Sequence, residues 1–590
     1  MKFPLVPILV SLTATAFAAT PVIPPGGTIV FPADGLVKMG FRGKDYADYK
    51  VVPVQGMPFK EAIQVDTKLQ PLKFYNVAVN GQVTAPVKKG DSLLVSFYAR
   101  CVGQGNNDTG QGDLVFTMIK SKGESLGKYV CMPGSDWQQY FYAFQVPDQI
   151  EPTDAHPGLC FGAMVQTLEV GGLQVLNYGT AKMPAQLPQT EITYAGREPD
   201  AAWRKEADAR IEKIRKGDFT VVVKNAAGQP VPNAAVEVKM TRHAFSFGAA
   251  ITSRAFDDTP ATTPLLENHK VLFNQGLPVT SFVWSIYETP QGEAAADKFM
   301  KYFADHKMAT RGHVLVWERA NVMPPDVAAM MKNKDAEKLR QRVTEHIKSL
   351  VTKYKGRMTE WVVENEAVDN SEFRKILGPA SIADWFKIAR EADPSAKLMI
   401  NDNRLEGHHP DKTDRLLELC KLIKDNGGDY DIIGIQGHFG SIPIPPATVL
   451  QHFDKLAATG KELSITEYDF DSTDERLKAD YTRDFLTMVF AHPSFTGFTM
   501  WRFWDGKPEY HESVVFANDW TLRPSGQVYK DLVLKKWWTD ENGTTCADGK
   551  FSGRGFYGDY DISASAGDKS QTVKTVFAKG QPNSIEITLP

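Results

Sequence analysis

Short runs of alternating apolar and polar residues fill the chain from Gly26 to about Tyr178, and clusters of Gly, Pro, Asn and Asp separate them. The segment from Ser92 to Ala99 is a clear example. No long amphipathic helical period occurs here, so the pattern predicts a β-sandwich. We place this module at residues 26–185.

The pattern changes after Phe245, where short apolar strands alternate with amphipathic helices as far as about Val533. Repeated βα units predict a parallel sheet, and eight of them fit a closed (β/α)8 TIM barrel, which we place at residues 242–537. The predicted strands are Phe245–Ile251, Pro278–Trp284, Thr310–Trp317, Glu360–Ala367, Lys397–Asn403, Ile432–Phe439, Leu463–Phe470 and Phe495–Trp504.

Two short β-rich segments flank the predicted barrel, one at 218–241 and one at 538–590. Neither segment is large enough to bury a core alone. The first, with its Gly-x-Pro-Val turn at Gly228, resembles the opening of a carboxypeptidase-regulatory-like domain. We therefore predict an α/β fold class with three parts: the barrel, the N-terminal β-sandwich, and a smaller β-sandwich assembled from the segments before and after the barrel.

The N-terminus has the parts of a secretory signal peptide at residues 1–18: Lys2, an apolar run from Leu5 to Leu12, and the small-residue site Ala16-Phe17-Ala18. We expect cleavage there and secretion to an extracellular or periplasmic location. No later stretch reaches the roughly 18 to 20 continuous apolar residues of a membrane helix. We expect the protein to be a monomer and to have no membrane partner.

The charge balance and the cysteine and histidine content restrict the classes of partner and cofactor that we expect. The 67 Lys and Arg residues nearly balance the 71 Asp and Glu residues, which gives no indication of a nucleic-acid partner. Five cysteines form no disulfide framework, although one bridge among Cys101, Cys131 and Cys160 is open, and Cys420 fits a helical core position. No Cys or His cluster has metal-ligand spacing, so we expect no metal and no cofactor.

Polar and aromatic residues gather at the C-terminal ends of the predicted barrel strands, where barrel active sites form. Glycoside cleavage needs two carboxyl groups, one that donates a proton and one that attacks or activates water. Glu366 and Glu467 end two different strands and are the candidate pair. Around them the strand ends carry His313, Trp317, Asn365, Asn401, Asp402, Gln436, His438, Asp469, Trp501 and Trp504.

The spacing around Glu467 favours the nucleophile role. Glu467 and Asp469 are two residues apart and so share one face of a strand, and His438 on the neighbouring strand can join them. An imidazole between two carboxylates keeps Glu467 in place and ionised. Each residue alone has a simpler explanation, a salt-bridged strand-end Glu or a structural His, but their combination favours catalysis.

Five ordered motifs give the barrel a resemblance to glycoside hydrolase family 10, the endo-β-1,4-xylanases. The resemblance implies a retaining mechanism with Glu366 as acid/base, Glu467 as nucleophile, Asn365 on a sugar 2-hydroxyl, His438 and Asp469 supporting Glu467, and Trp501 under the sugar. The motifs are Arg311-Gly312-His313-Val314-Leu315-Val316-Trp317, Trp361-Val362-Val363-Glu364-Asn365-Glu366-Ala367, Ile400-Asn401-Asp402, Ile433-Gly434-Ile435-Gln436-Gly437-His438 and Ile465-Thr466-Glu467-Tyr468-Asp469.

We further predict that substrate contacts come from His313, Trp317, Asn365, Asn401, Gln436, Trp501, Trp284 and Arg404. The first module also resembles a jelly-roll carbohydrate-binding domain, most of all in the segment 161–170, with Trp137 and Tyr140 as candidate platform aromatics. A purely structural domain is the alternative, and both aromatics also fit core positions.

The sugar-binding groups depart from the family pattern. On the predicted second strand the family's Glu-Asn-x-x-Lys-Trp is replaced by the run from Val279 to Trp284, which keeps only the Trp, and Glu318 stands where the family has a histidine. The family's Asn-Asp-Tyr-Asn ends here in Arg404, whose cationic fork suits an acidic branch. Xylan is the expected substrate. Another β-1,4-glycan, a decorated xylan, or binding of polysaccharide without catalysis are the alternatives.

Overall fold

The computed structural model describes residues 21–104, 110–152, 154–257, 259–407, 409–440, 442–507 and 510–590. The predicted signal peptide at 1–18 lies outside the described residues. The chain divides into two units, whose described residues run from 21 to 192 and from 193 to 590.

The first unit consists of antiparallel strands in two sheets. One sheet has the order β3-β4-β11-β6-β9, with β1 also paired to β11, and the other has the order β2-β5-β10-β7-β8. Their bounds are β1 (Thr28–Phe31), β2 (Gly40–Arg42), β3 (Ala47–Pro53), β4 (Glu61–Thr67), β5 (Ala78–Asn80), β6 (Ser92–Gln104), β7 (Leu114–Lys120), β8 (Ser125–Cys131), β9 (Gln138–Gln145), β10 (Ala155–Cys160) and β11 (Gln166–Asn177). Buried apolar side chains such as Phe97 and Phe116 form one core between the sheets, which confirms the predicted β-sandwich.

The structure decides two points that the sequence left open in this unit. Cys101, Cys131 and Cys160 are buried and form no disulfide with one another. Tyr140 is 3% exposed and stacks on Phe97 at 5.6 Å, which makes it a core residue and not a binding platform.

The second unit contains the remaining strands and the α-helices that the structure describes. The strands are β12 (Lys216–Lys224), β13 (Ala235–His243), β14 (Ser246–Ile251), β15 (Gln275–Pro278), β16 (Ala309–Val316), β17 (Glu360–Asn365), β18 (Lys397–Asp402), β19 (Ile432–Ile435), β20 (Glu462–Tyr468), β21 (Phe495–Met500), β22 (Asp540–Thr544), β23 (Lys550–Phe556), β24 (Gly558–Ala566), β25 (Lys569–Phe577) and β26 (Ser584–Thr588). The helices are α1 (Ala202–Ile214), α2 (Thr263–Leu272), α3 (Trp284–Tyr287), α4 (Pro290–Asp305), α5 (Pro325–Asn333), α6 (Ala336–Lys353), α7 (Glu372–Leu377), α8 (Ser381–Ala392), α9 (Pro410–Asp425), α10 (Pro446–Ala457), α11 (Glu475–Ala491) and α12 (Pro524–Asp531).

Strands β14 to β21 form a closed parallel barrel in chain order, as predicted. The second strand was misplaced, because β15 covers Gln275–Pro278 and the predicted segment ends instead in helix α3, which begins at Trp284. Gln275 points into a polar layer of the barrel and bonds Thr499 at 2.9 Å. The strand was missed because Gln275, a polar residue, points into the barrel and interrupts the hydrophobic pattern. The apolar run that follows has the pattern of a strand and was assigned instead.

The segments before and after the barrel share both sheets of a small sandwich. Strand β12 pairs with β23 and β26, and β13 pairs with β22 and β24. The sheets bury Val221, Ile562 and Ile587 at 0% exposure. The predicted sandwich built from two distant segments is therefore confirmed.

Arg215, directly after helix α1, joins the small sandwich to the base of the barrel. Its guanidinium donates hydrogen bonds to the carbonyls of Phe490, His492 and Phe495 at 2.8 to 2.9 Å, and it lies over the ring of Phe245. In the part of the chain that the structure describes, no helix is long and apolar enough to span a bilayer.

We expect removal of residues 545–590 to lower the melting temperature, because β12 then loses both partner strands and exposes Val221. Ile587→Ala should lower the free energy of unfolding by about 2 to 4 kcal/mol, since Ile587 is fully buried. Val576→Ala, at a position that is 59% exposed in the same sandwich, is the control and should change it by less than about 0.5 kcal/mol. Thermal unfolding followed by circular dichroism measures all three, and an unchanged melting temperature after truncation would contradict the shared core.

Candidate active site

Glu366 directly follows β17 and has a left-handed backbone conformation with φ of 55°. A non-glycine residue rarely adopts this conformation without surrounding contacts that hold it. Its N–H donates to the carbonyl of Asn401 at 2.8 Å, and its own carbonyl accepts from the N–H of Asn370 at 3.0 Å. The turn aims the Glu366 side chain across the C-terminal end of the barrel.

Four polar side chains surround the Glu366 carboxyl group. Trp317 Nε1 lies 3.1 Å from Oε2, Gln436 Nε2 lies 3.3 Å from Oε1, and Asn370 Nδ2 lies 3.3 Å from Oε2. The Arg319 guanidinium is 3.8 Å from Oε2 and stacks on the ring of Trp317. The sequence analysis missed Arg319 and Asn370. Arg319 lies two residues after Trp317, and that spacing was the available signal.

Glu467 lies on β20 and is held by two donors. Asn401 Nδ2 is 2.9 Å from its Oε1, and His438 Nε2 is 3.3 Å from its Oε2. His438 Nδ1 contacts Asp469 Oδ2 at 2.8 Å, so the imidazole joins the two carboxylates in the predicted way.

The electrostatics of this triad favour an ionised Glu467. Burial by itself raises the pKa of Glu467, but His438, His313 and Asn401 outweigh it and lower the pKa below its ordinary value. Burial lowers the pKa of His438, and the two carboxylates reverse this and raise it well above the usual range. A protonated His438 between two carboxylates is therefore the stable state at neutral pH.

Asn401 does not reach the cleft, which corrects its predicted role in substrate binding. It is 0% exposed, and its Nδ2 donates to both Asn365 and Glu467. Its Oδ1 accepts from Thr466 Oγ1 at 2.7 Å. Because the protein uses both amide hydrogens, Asn401 positions Glu467 and the neighbouring Asn365.

Aromatic rings form the wall beside the two carboxyl groups. The ring of half-buried Trp501 lies 5.9 Å from His438 and 6.2 Å from His313. Trp317 lies on the other side of His313, at 6.5 Å between ring centroids. Burial is the largest effect on His313 and lowers its pKa, while the charges of Glu467 and Glu366 act in the opposite direction.

Trp284, another predicted substrate contact, lies outside the cleft. Trp284 is 2% exposed, stacks on His346 at 4.0 Å and donates to Glu288, so it is a packing residue behind the barrel wall. Arg404 lies in a turn after β18, with φ of 57°. Burial raises the pKa of Asp369, while Lys412 and then Arg404 lower it, which places the Arg404 charge near that carboxylate.

Glu318 points away from the sugar-binding face, unlike the prediction. It is 0% exposed, and its oxygens accept from Arg374 Nε at 2.5 Å and from the Arg374 N–H at 2.8 Å. The same guanidinium donates to the carbonyls of Ala367 and Asn370, which belong to the turn that carries Glu366. Glu318 therefore acts on that turn through Arg374.

More buried polar groups hold the same turn. Asp402 accepts from the Val368 N–H at 3.0 Å and pairs with Lys412 at 2.8 Å, and Lys412 also pairs with Asp369 at 2.7 Å. Glu364 is buried beside them, and neither of its oxygens has a hydrogen-bond partner among the described residues. Burial and the charge of Glu318 raise the pKa of Glu364 well above its ordinary value, so Glu364 is neutral.

Within the described ranges, no group of three or more His, Cys, Asp or Glu residues is arranged to hold a metal ion.

Comparisons with known proteins assign the barrel segment to a family. Residues 237–525 match the family described as glycosyl hydrolase family 10. Anti-sigma-I factor RsgI6 of Acetivibrio thermocellus is 31% identical over 62% of this chain and 47% of its own length. Endo-1,4-beta-xylanase 1 of Arabidopsis thaliana is 27% identical over 65% of this chain and 40% of its own length.

A solved structure of xylanase 10B from Thermotoga petrophila RKU-1 in complex with xylobiose is 24% identical, with a TM-score of 0.45 over 50% of this chain and 95% of that chain. The chain spans less than half the length of the two curated relatives named above. The matched segment contains all eight strands of the barrel together with Glu366 and Glu467. The barrel of this chain belongs to glycosyl hydrolase family 10.

Proposed function

We propose that this chain is a retaining, endo-acting glycoside hydrolase that cleaves β-1,4-xylosidic bonds in xylan. The arrangement around Glu467 carries the proposal: a carboxylate kept ionised by Asn401 and by a protonated His438, in reach of a network that also contacts Glu366. The family match of the barrel and the xylanase names of several relatives support the substrate class.

In the first step, Glu467 attacks the anomeric carbon while Glu366 gives its proton to the leaving oxygen, which breaks the glycosidic bond and forms a glycosyl ester on Glu467. In the second step, Glu366 takes a proton from water, and that water displaces Glu467. Such a double displacement retains the anomeric configuration and needs carboxyl groups about 5 to 5.5 Å apart. The donors Trp317, Gln436 and Asn370 suit the carboxylate that Glu366 becomes between the steps.

Two alternatives have support of their own. The loss of the family's polar run at Val279 to Trp284 favours another β-1,4-glycan or a decorated xylan. The anti-sigma factor name of one relative favours binding without catalysis. A panel of xylan, arabinoxylan, glucuronoxylan and β-glucan, assayed for released reducing ends, separates these cases.

The proposal extends to the rest of the chain. Residues 1–18 direct secretion, the enzyme acts as a monomer, and the first unit is a carbohydrate-binding module. On that module Trp137 remains the candidate aromatic, since it is half-buried and Arg100 lies over its ring at 4.9 Å.

We expect the full chain to release reducing ends from xylan, with the β-anomer appearing first by proton NMR. Glu467→Gln should lower kcat at least about a thousandfold, because it removes the nucleophile and keeps the volume. The matched control is Glu462→Gln on the same strand, whose carboxylate pairs with Lys397 at 2.7 Å and belongs to no part of the site. An α-anomer first, or substantial activity in a folded Glu467→Gln variant, would contradict the mechanism.

His438→Gln should move the acidic limb of the kcat/KM profile to higher pH. The substitution removes the positive charge that lowers the pKa of Glu467, so Glu467 becomes protonated at a higher pH. The ionised Glu467 also contributes stability above its unfolded pKa, and this contribution is lost as pH falls through the lowered folded value. His306→Gln, at an exposed position, is the control, and an acidic limb that stays in place would argue against the role of His438.

Glu318→Ala should leave Arg374 buried without its carboxylate and lower the free energy of unfolding by about 3 to 5 kcal/mol. We expect kcat to fall about ten- to a hundredfold with a smaller change in KM, because the Glu366 turn loses its anchor. The double variant Glu318→Ala with Arg374→Met should recover much of the stability and little of kcat. Chemical denaturation and steady-state kinetics measure both. Full kcat in the single variant would show that the pair is only structural.

A further inference from the structure

A cavity of about 160 Å³ opens beside Trp501, between the C-terminal ends of β14, β15 and β21. It has room for one sugar ring and not for a length of polymer. Val279, the first residue after β15, lies in its wall, so the cavity occupies the side of the cleft where the family's polar residues are missing. Its other lining residues include Arg254, Trp504, Lys507 and Tyr510.

The charges that line this cavity do not cancel. Arg502 pairs with Glu512 at 3.0 Å, and Asp505 pairs with Arg523, so these two residues are neutralised within the protein. Arg254 and Lys507 have no carboxylate partner among the described residues. The Lys507 amine lies 5.4 Å from the centre of the Tyr510 ring, and the cavity therefore keeps two positive charges.

Ring stacking and hydrogen bonds hold residues in the wall of the cavity. Trp504 stacks on Trp520 with 4.8 Å between ring centroids and an angle of 6°, and its Nε1 donates to the carbonyl of Asn518 at 3.0 Å. The buried Lys478 amine donates to the carbonyls of His511 and Ser513 in the same loop. Trp504 and Lys507 thus follow β21 on the same segment of chain, and Arg254 lines the cavity from the turn after β14.

We propose that this cavity binds a carboxylate-bearing sugar, a hexuronic acid branch carried by the β-1,4-linked chain. A carboxylate can pair with the exposed fork of Arg254 and with the exposed Lys507 amine, whereas a neutral sugar offers these two cations no countercharge. The CH face of the ring packs on Trp504. The inference rests on the proposed function.

Isothermal titration of the full chain carrying Glu467→Gln tests the inference without turnover. Three ligands are compared: a linear xylo-oligosaccharide, the same oligosaccharide with one glucuronosyl branch, and that branched ligand with its carboxyl reduced to an alcohol. We expect the acidic ligand to bind about tenfold more tightly than its reduced form. Arg254→Gln with Lys507→Gln should bring this ratio close to one.

The matched control is Lys332→Gln with Lys348→Gln, which removes two exposed cations from the outer helices α5 and α6 and should keep the ratio. Equal affinity for the acidic and reduced ligands would overturn the inference, as would a ratio that survives Arg254→Gln with Lys507→Gln. The proposed function fails separately, if the unsubstituted chain releases no reducing ends from any xylan. If the chain hydrolyses linear xylan but binds the acidic and the reduced ligand equally well, the proposed function stands and only the acidic site is ruled out.

Discussion

Arg311 is buried inside the barrel at 0% exposure. Its positive charge needs hydrogen-bond partners there, and residues on several strands provide them. A buried cation is tolerated only where partners saturate it. Its guanidinium bonds Glu360 on β17, Ser464 on β20 and Thr499 on β21, at 2.8 to 2.9 Å. Gln275 on β15 completes the layer through Glu360 and Thr499. Five of the strands are therefore locked in register by one charge.

The catalytic layer follows from this lower layer by strand periodicity. His313 is two residues after Arg311 and faces the same interior, one layer nearer the cleft. Gly312 between them has no room for a side chain, because a Cβ there would lie 2.1 Å from the ring of Trp361. The register that satisfies Arg311 thus also places His313 beside Trp501, in the layer where Glu467 is held.

Much of this organisation could be predicted from sequence, and the failures have physical reasons. Parallel strands buried on both faces are near-continuous apolar runs, which is why seven strands were found and β15, with Gln275, was not. Glu366 and Glu467 could be selected as the candidate pair from sequence because each lies in a short, contiguous motif. The burial of Asn401 and the pairing of Glu318 with Arg374 depend on which groups meet across the fold, and no periodicity encodes that.

The departures from the family pattern differ in how far buried charge constrains them: Glu318 is held in a buried pair with Arg374, whereas Val279 is an apolar residue in the wall of the cavity. Glu467 is surrounded by partners that would each be left unpaired if it moved, so the catalytic layer tolerates little change. Val279 and Arg254 lie beyond the strand ends, on loops whose side chains reach the cavity without taking part in that network. In a barrel, the buried network around Glu467 and the loop residues that line the cavity lie at different heights along the axis. Residues that line the cavity can therefore change while the network around Glu467 keeps its geometry.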